Sequence, residues 1–123
     1  MCQETPALAC NFSAINATER HAHRKLASYV MSEGVTEKRE LSDGYAFRYD
    51  AADFSKVAQY VENERRCCPF LDFEIHARAT DSAVWLYLRG QGNVKDFLDT
   101  AFQKGQIPVA GMGQVKVSEL SHA

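Results

Sequence analysis

Apolar and polar positions alternate without a break through Leu71-Asp72-Phe73-Glu74-Ile75-His76-Ala77-Arg78, which predicts a strand with one face turned to water. From Ala83 to Arg89, Val84, Leu86 and Leu88 alternate with Trp85, Tyr87 and Arg89, so a second strand folds back on the first. An earlier pair, Val35 to Leu41 and Tyr45 to Asp50, is joined through Ser42-Asp43-Gly44, whose Asp-Gly step predicts a tight hairpin. Tyr45, Phe47 and Tyr49 share one face of it. That face reads as sheet core, since no basic groove accompanies the rings.

Elsewhere the period lengthens to that of a helix. Ala22, Leu26, Tyr29 and Val30 predict a helix from Asn16 or Thr18 to about Ser32, ended by Gly34. A second, from Ala52 or Asp53 to about Arg66 or Cys67, carries Phe54, Val57, Ala58 and Val61 as its apolar stripe, and Pro69 forces its end. Asn93 caps a third, with Val94, Phe97, Leu98 and Ala101 on one side. The order α-ββ-α-ββ-α predicts an α+β fold: a four-stranded antiparallel sheet from two ββα units plus an N-terminal helix. Residues 1–14, with Pro6, read as an extended arm, and residues 105–123 as a flexible tail or a strand swapped onto a neighbouring subunit.

At 123 residues the chain suits a single domain that closes a core without needing disulfides. Its 46% apolar and 24% charged content is that of a globular protein. A net charge of -2 with scattered Lys and Arg argues against nucleic acid as a partner. No apolar run reaches membrane-spanning length, and the opening Met1-Cys2-Gln3-Glu4-Thr5-Pro6 is unlike a signal peptide, so the expected location is cytoplasmic with no membrane partner.

The chemistry concentrates in Cys67-Cys68, joined by Cys2 and Cys10. In a reducing compartment these would be available thiols rather than a disulfide framework. Successive helical residues lie about 100° apart, so Cys68 is expected to face the core and Cys67 to point sideways. Glu64 falls between the two sulfurs and could accept a thiol proton or add an oxygen ligand, while Arg65 could steady a thiolate. A helix C-terminus and apolar burial both raise a thiol's pKa, and a bound soft cation would overcome them. That balance favours metal ligation over a free catalytic thiolate.

A bridge between neighbouring cysteines would be strained, because the trans peptide holds their Cα atoms at about 3.8 Å against the usual minimum of about 4.4 Å. A disulfide or a shared ion with Cys10 or Cys2 is easier. Three or four thiolates would suit Zn(II), Cu(I), Hg(II) or trivalent arsenic, in an accessible pocket that the arm closes. The plain alternative is that Cys68 packs in the core and Cys67 is incidental.

His21 and His23 face different directions on their helix and are expected to be solvated. His76, Asp72, Glu74, Trp85 and Tyr87 are expected on one wet sheet face, which suggests a subunit contact, and hence a homodimer, ahead of a small-molecule site.

The run Glu64-Arg65-Arg66-Cys67-Cys68-Pro69-Phe70-Leu71-Asp72-Phe73, with Ala9-Cys10-Asn11 and Leu41-Ser42-Asp43-Gly44-Tyr45, resembles a family of small bacterial proteins of uncharacterised activity. Its members share an E-R-x-C-C-x-F-L-x-F signature, and some look like companions of heavy-metal resistance systems. The resemblance spans Cys10 to Phe102 and implies Cys10, Glu64, Cys67 and Cys68 as the site. The leading expectation is thiol-dependent binding of a thiophilic metal ion. A thiol redox enzyme, with one cysteine attacking and another resolving, and a structural or interaction module are the alternatives.

Overall fold

The computed structural model describes residues 17–104, 106–109 and 113–116. Helix α1 (Ala17–Ser28) widens into a π-type turn over Tyr29–Glu33 and stops at Gly34. Strands β1 (Glu37–Leu41) and β2 (Gly44–Asp50) follow, then a 3-10 turn (Ala51–Asp53) leading into α2 (Phe54–Cys67). Strands β3 (Asp72–Ala77) and β4 (Ala83–Arg89) precede the short α3 (Val94–Asp99) and a second π-type turn (Thr100–Lys104). The extended arm expected for residues 1–14 lies outside the described residues. Of residues 105–123, the described part is an antiparallel pair, β5 (Gln106–Val109) and β6 (Gly113–Lys116).

The main sheet has the order β1-β2-β4-β3, antiparallel throughout. The two hairpins thus meet through their second strands, as the α+β reading expected. Phe47, Leu86 and Ile75 align across the sheet, as do Tyr45, Leu88 and Phe73, and this face carries the core. The Tyr49 hydroxyl donates to the Val30 carbonyl at 2.7 Å, and Tyr45 donates to Asp99. Those bonds tie the α1 and α3 ends to the same sheet face.

Two local expectations change. Gly44 is the first residue of β2 and lacks a positive φ; Gly92 alone has one among the described residues. A Cβ at Gly44 would stand 1.9 Å from the Leu88 carbonyl oxygen, so glycine is needed for close strand approach rather than for a left-handed turn. Asn93 precedes α3 without a side-chain capping bond.

The buried stripe of α2 is also rotated from its expected position. Val57, Tyr60, Asn63, Glu64 and Cys67 face inward, while Phe54 is 44% exposed. Val57, Tyr60, Glu64 and Cys67 follow one another at steps of three, four and three, the spacing of a single helix face. Apolar counting alone drew the stripe toward Phe54, because a carboxylate is ordinarily a surface residue.

Candidate functional site

That rotation sets a polar row of α2 against α1. His23 lies seven residues before Val30, hence on the same helix face, and both are buried. The expected solvation of His23 is therefore overturned: it is 2% exposed. Its ring stacks on Tyr60 at 5.9 Å between centroids, and the Tyr60 hydroxyl donates to Met31 Sδ at 3.2 Å.

A chain of hydrogen bonds orients the imidazole. Gln59 donates to Asn63 Oδ1 at 3.3 Å, which leaves Asn63 Nδ2 to donate to His23 Nδ1 at 3.3 Å. With Nδ1 accepting, the proton of a neutral imidazole sits on Nε2 and is given to Glu64 Oε2 at 2.8 Å. Glu64 is 8% exposed. A carboxylate so far from water needs such donors to remain ionised at tolerable cost.

Glu64 also reaches both sulfurs. Its Oε2 accepts from Cys67 Sγ at 3.7 Å, its Oε1 lies 3.2 Å from Cys68 Sγ, and the sulfurs are 3.7 Å apart. Neither cysteine points sideways; both are fully buried. The helix explains this, because α2 ends at Cys67 and Cys68 adopts φ -129° and ψ 68°. Leaving helical geometry lets the second side chain turn toward the same interior point as the first. Pro69 enforces the departure by disfavouring the helical conformation of the residue before it. The Cys68 amide still bonds to the Glu64 carbonyl at 2.7 Å, and Leu71 N–H bonds back to Cys68 O at 3.2 Å.

The two thiols differ in state. Cys67 is a free thiol whose pKa is pushed well up, first by burial and then by the charge and hydrogen bond of Glu64. It is protonated at neutral pH and a poor nucleophile in the absence of a cation. Cys68 is disulfide-bonded. A disulfide sulfur has no proton to give, so its 3.2 Å approach to Glu64 is packing in this state and a hydrogen bond only once reduced. Arg65, expected to steady a thiolate, is instead exposed on an open groove with Val61, Pro69, Leu71, Asp72, Phe73 and Ile75.

Of the residues expected to form the site, Glu64, Cys67 and Cys68 come together, and Cys10 lies outside the described residues. Sequence reasoning missed His23 and Asn63. The nearest signal for His23 was its seven-residue spacing to Val30. The expected accessible pocket is not found at the doublet among the described residues: both cysteines are fully buried members of the hydrophobic core, with the Glu64 carboxylate as a polar neighbour of each sulfur. A His23 ring nitrogen, a Glu64 oxygen and Cys67 Sγ all lie within 4.8 Å of one another.

Comparison with models of known families, with curated proteins and with solved structures finds no match for this chain. Among the described residues no helix is long and apolar enough to cross a membrane. Function must therefore be argued from the cluster itself.

Proposed function

We propose that the protein binds a thiophilic metal ion through His23, Glu64 and Cys67, with Cys68 completing the set when reduced. The observation that carries this reading is the convergence of an imidazole nitrogen, a carboxylate oxygen and a thiol within 4.8 Å. Zinc distances of about 2.3 Å to sulfur and about 2.0 Å to nitrogen or oxygen place tetrahedral ligand edges at about 3.8 Å for S–S, about 3.5 Å for S–O and about 3.3 Å for N–O. Here the sulfurs are 3.7 Å apart, Glu64 Oε2 lies 3.7 Å from Cys67 Sγ and 2.8 Å from His23 Nε2, and Cys68 Sγ lies 3.2 Å from the other oxygen, Oε1. An ion would have to part the imidazole from Oε2 and draw the reduced Cys68 sulfur toward the same oxygen.

Charge supports the same reading. A thiolate, a carboxylate and a neutral imidazole together carry the charge that a divalent cation cancels, and the cation replaces the proton that burial otherwise keeps on Cys67. A core built only for stability gains little from a buried His–Glu pair, since apolar residues of similar volume usually serve as well. Zn(II), Hg(II), Cu(I) and trivalent arsenic all accept sulfur. Some members of the family that the motif resembles look like companions of heavy-metal resistance systems, and that leans toward the softer of them.

The reduced protein titrated with each ion, beside the Cys67→Ser, Cys68→Ser double variant, tests the proposal. One ion per chain, bound at least about a hundredfold more tightly by the wild type, is expected. Equal affinities in the two proteins would remove it.

One observation favours a second reading, thiol–disulfide exchange. The free Cys67 sulfur stands 3.7 Å from a Cys68 sulfur that is already in a disulfide. Attack by Cys67 would form the Cys67–Cys68 bond, release the former partner of Cys68 as a thiolate and pass the Cys67 proton to it. The raised Cys67 pKa and the short span between neighbouring Cα atoms both oppose this step. An alkylation rate for Cys67 already at its plateau near pH 7 would favour exchange over metal binding.

A further inference from the structure

The sheet face turned away from the core holds charges and rings in register. One cross-strand row runs Glu37, Arg48, Trp85, His76, and the next runs Arg39, Ala46, Tyr87, Glu74. The side chains of Arg39, Glu37, Glu74 and His76 are 59%, 44%, 45% and 39% exposed, so the face is open to water. The His76 and Tyr87 rings lie 4.4 Å apart, and Arg39 covers Trp85 at 4.5 Å. Such aromatic surface on a wet sheet asks for a partner.

We infer that this face docks on a second copy of the same chain, sheet against sheet, about a two-fold axis running along the strands. The charge arrangement fits a second copy as the occupant, and exchanging the charges of Arg39 and Glu74 identifies the axis. Rotation about such an axis preserves height along the strands and exchanges β1 with β3 and β2 with β4. Arg39 then stands opposite Glu74 of the second copy, Glu37 opposite its His76 and Arg48 opposite its Trp85. Because the contact is isologous, each pairing occurs twice. A two-fold axis across the strands would instead set β1 against β1 with its direction reversed. Placed between the two rows, it would oppose Arg39 to Glu37 and Glu74 to His76 of the second copy, an arrangement in which exchanging the charges of Arg39 and Glu74 restores nothing.

Within one copy these charges are spent on exposed pairs, Arg39 with Glu37 at 2.8 Å and Arg89 with Glu74 at 3.6 Å, which contribute little in water. Docking re-pairs them at lower exposure, and sheets about 10 Å apart leave room for the rings between them. Four strands about 4.8 Å apart and five to seven residues long cover roughly 400 Å² per copy. The sum, about 800 Å², is below the usual range for a stable interface, so the dimer is weak and concentration-dependent.

Sedimentation velocity on the full chain from about 1 µM to about 1 mM, the range in which weak complexes dissociate, tests the inference. Wild type should pass from monomer to dimer, and R39E and E74R should each weaken association at least about tenfold. The two substitutions shift the net charge of -2 in opposite directions, so general repulsion cannot weaken both. Combined in one chain they exchange the charges on both sides and should restore wild-type association. A wild type monomeric at every concentration, single variants that dimerise normally, or a double variant no better than the singles would overturn the inference.

Discussion

Two regions pack on the same sheet face and are built of opposite materials. Beneath α3, Phe102 meets Tyr45 and Phe47 edge-on at 5.0 Å, and Phe70 meets Phe97 likewise. Where α1 meets α2, the equivalent space holds His23, Asn63, Glu64 and two cysteines. The first region gains free energy from each apolar surface it removes from water. The second must satisfy every polar atom merely to break even. A fold able to build the former has no packing need for the latter, and this contrast directs function to the α1–α2 seam.

The contrast breaks most sharply with Phe47→Ala, which empties a fully buried ring site and should cost about 3–5 kcal/mol of unfolding free energy. Urea denaturation measures the loss, and ion affinity per folded molecule should stay within about twofold if the regions are independent. Asn63→Ala should do the reverse. A metal taken by His23 Nε2 requires the proton on Nδ1, which Asn63 Oδ1 can accept after its amide turns over, so the variant should bind the ion about 10–100-fold more weakly. Isothermal titration would read that fall, and unchanged affinity would mean that Asn63 only fills space.

A smaller effect sharpens the same division. Burial and Glu64 raise the Cys67 pKa, so the ion-free thiol keeps its proton through about pH 6 to about pH 8 and loses it when the ion binds. Affinity should thus rise with pH, by about tenfold per unit for each proton released. Calorimetry in buffers of different ionisation enthalpy counts those protons. A flat pH profile would show that no thiol is deprotonated on binding.

The apolar region was the legible one. Strict alternation through β3 and β4 and the spacing of Val94, Phe97 and Leu98 placed hairpin, helix and core faces, because each of these elements buries what its composition says it should. The seam was only half legible. The dithiol and Glu64 stood out as adjacent chemical groups, but His23 was judged only against His21, two residues away and facing another direction, and Phe54 pulled the expected α2 stripe away from Glu64 and Cys67. Hydropathy assigns a histidine and a glutamate to water, and only their mutual hydrogen bond across two helices, a pairing 41 residues apart in sequence, makes their burial tolerable. A buried polar site is concealed in this way wherever its members satisfy one another at long range.

The most direct test of the seam as a metal centre is X-ray absorption at the zinc edge on the reduced, zinc-loaded protein. The account predicts one zinc per chain with two sulfur ligands at about 2.3 Å and two nitrogen or oxygen ligands near 2.0 Å, including an imidazole signal that His23→Ala abolishes. A sulfur-free shell, or an imidazole signal unaffected by that substitution, would contradict it.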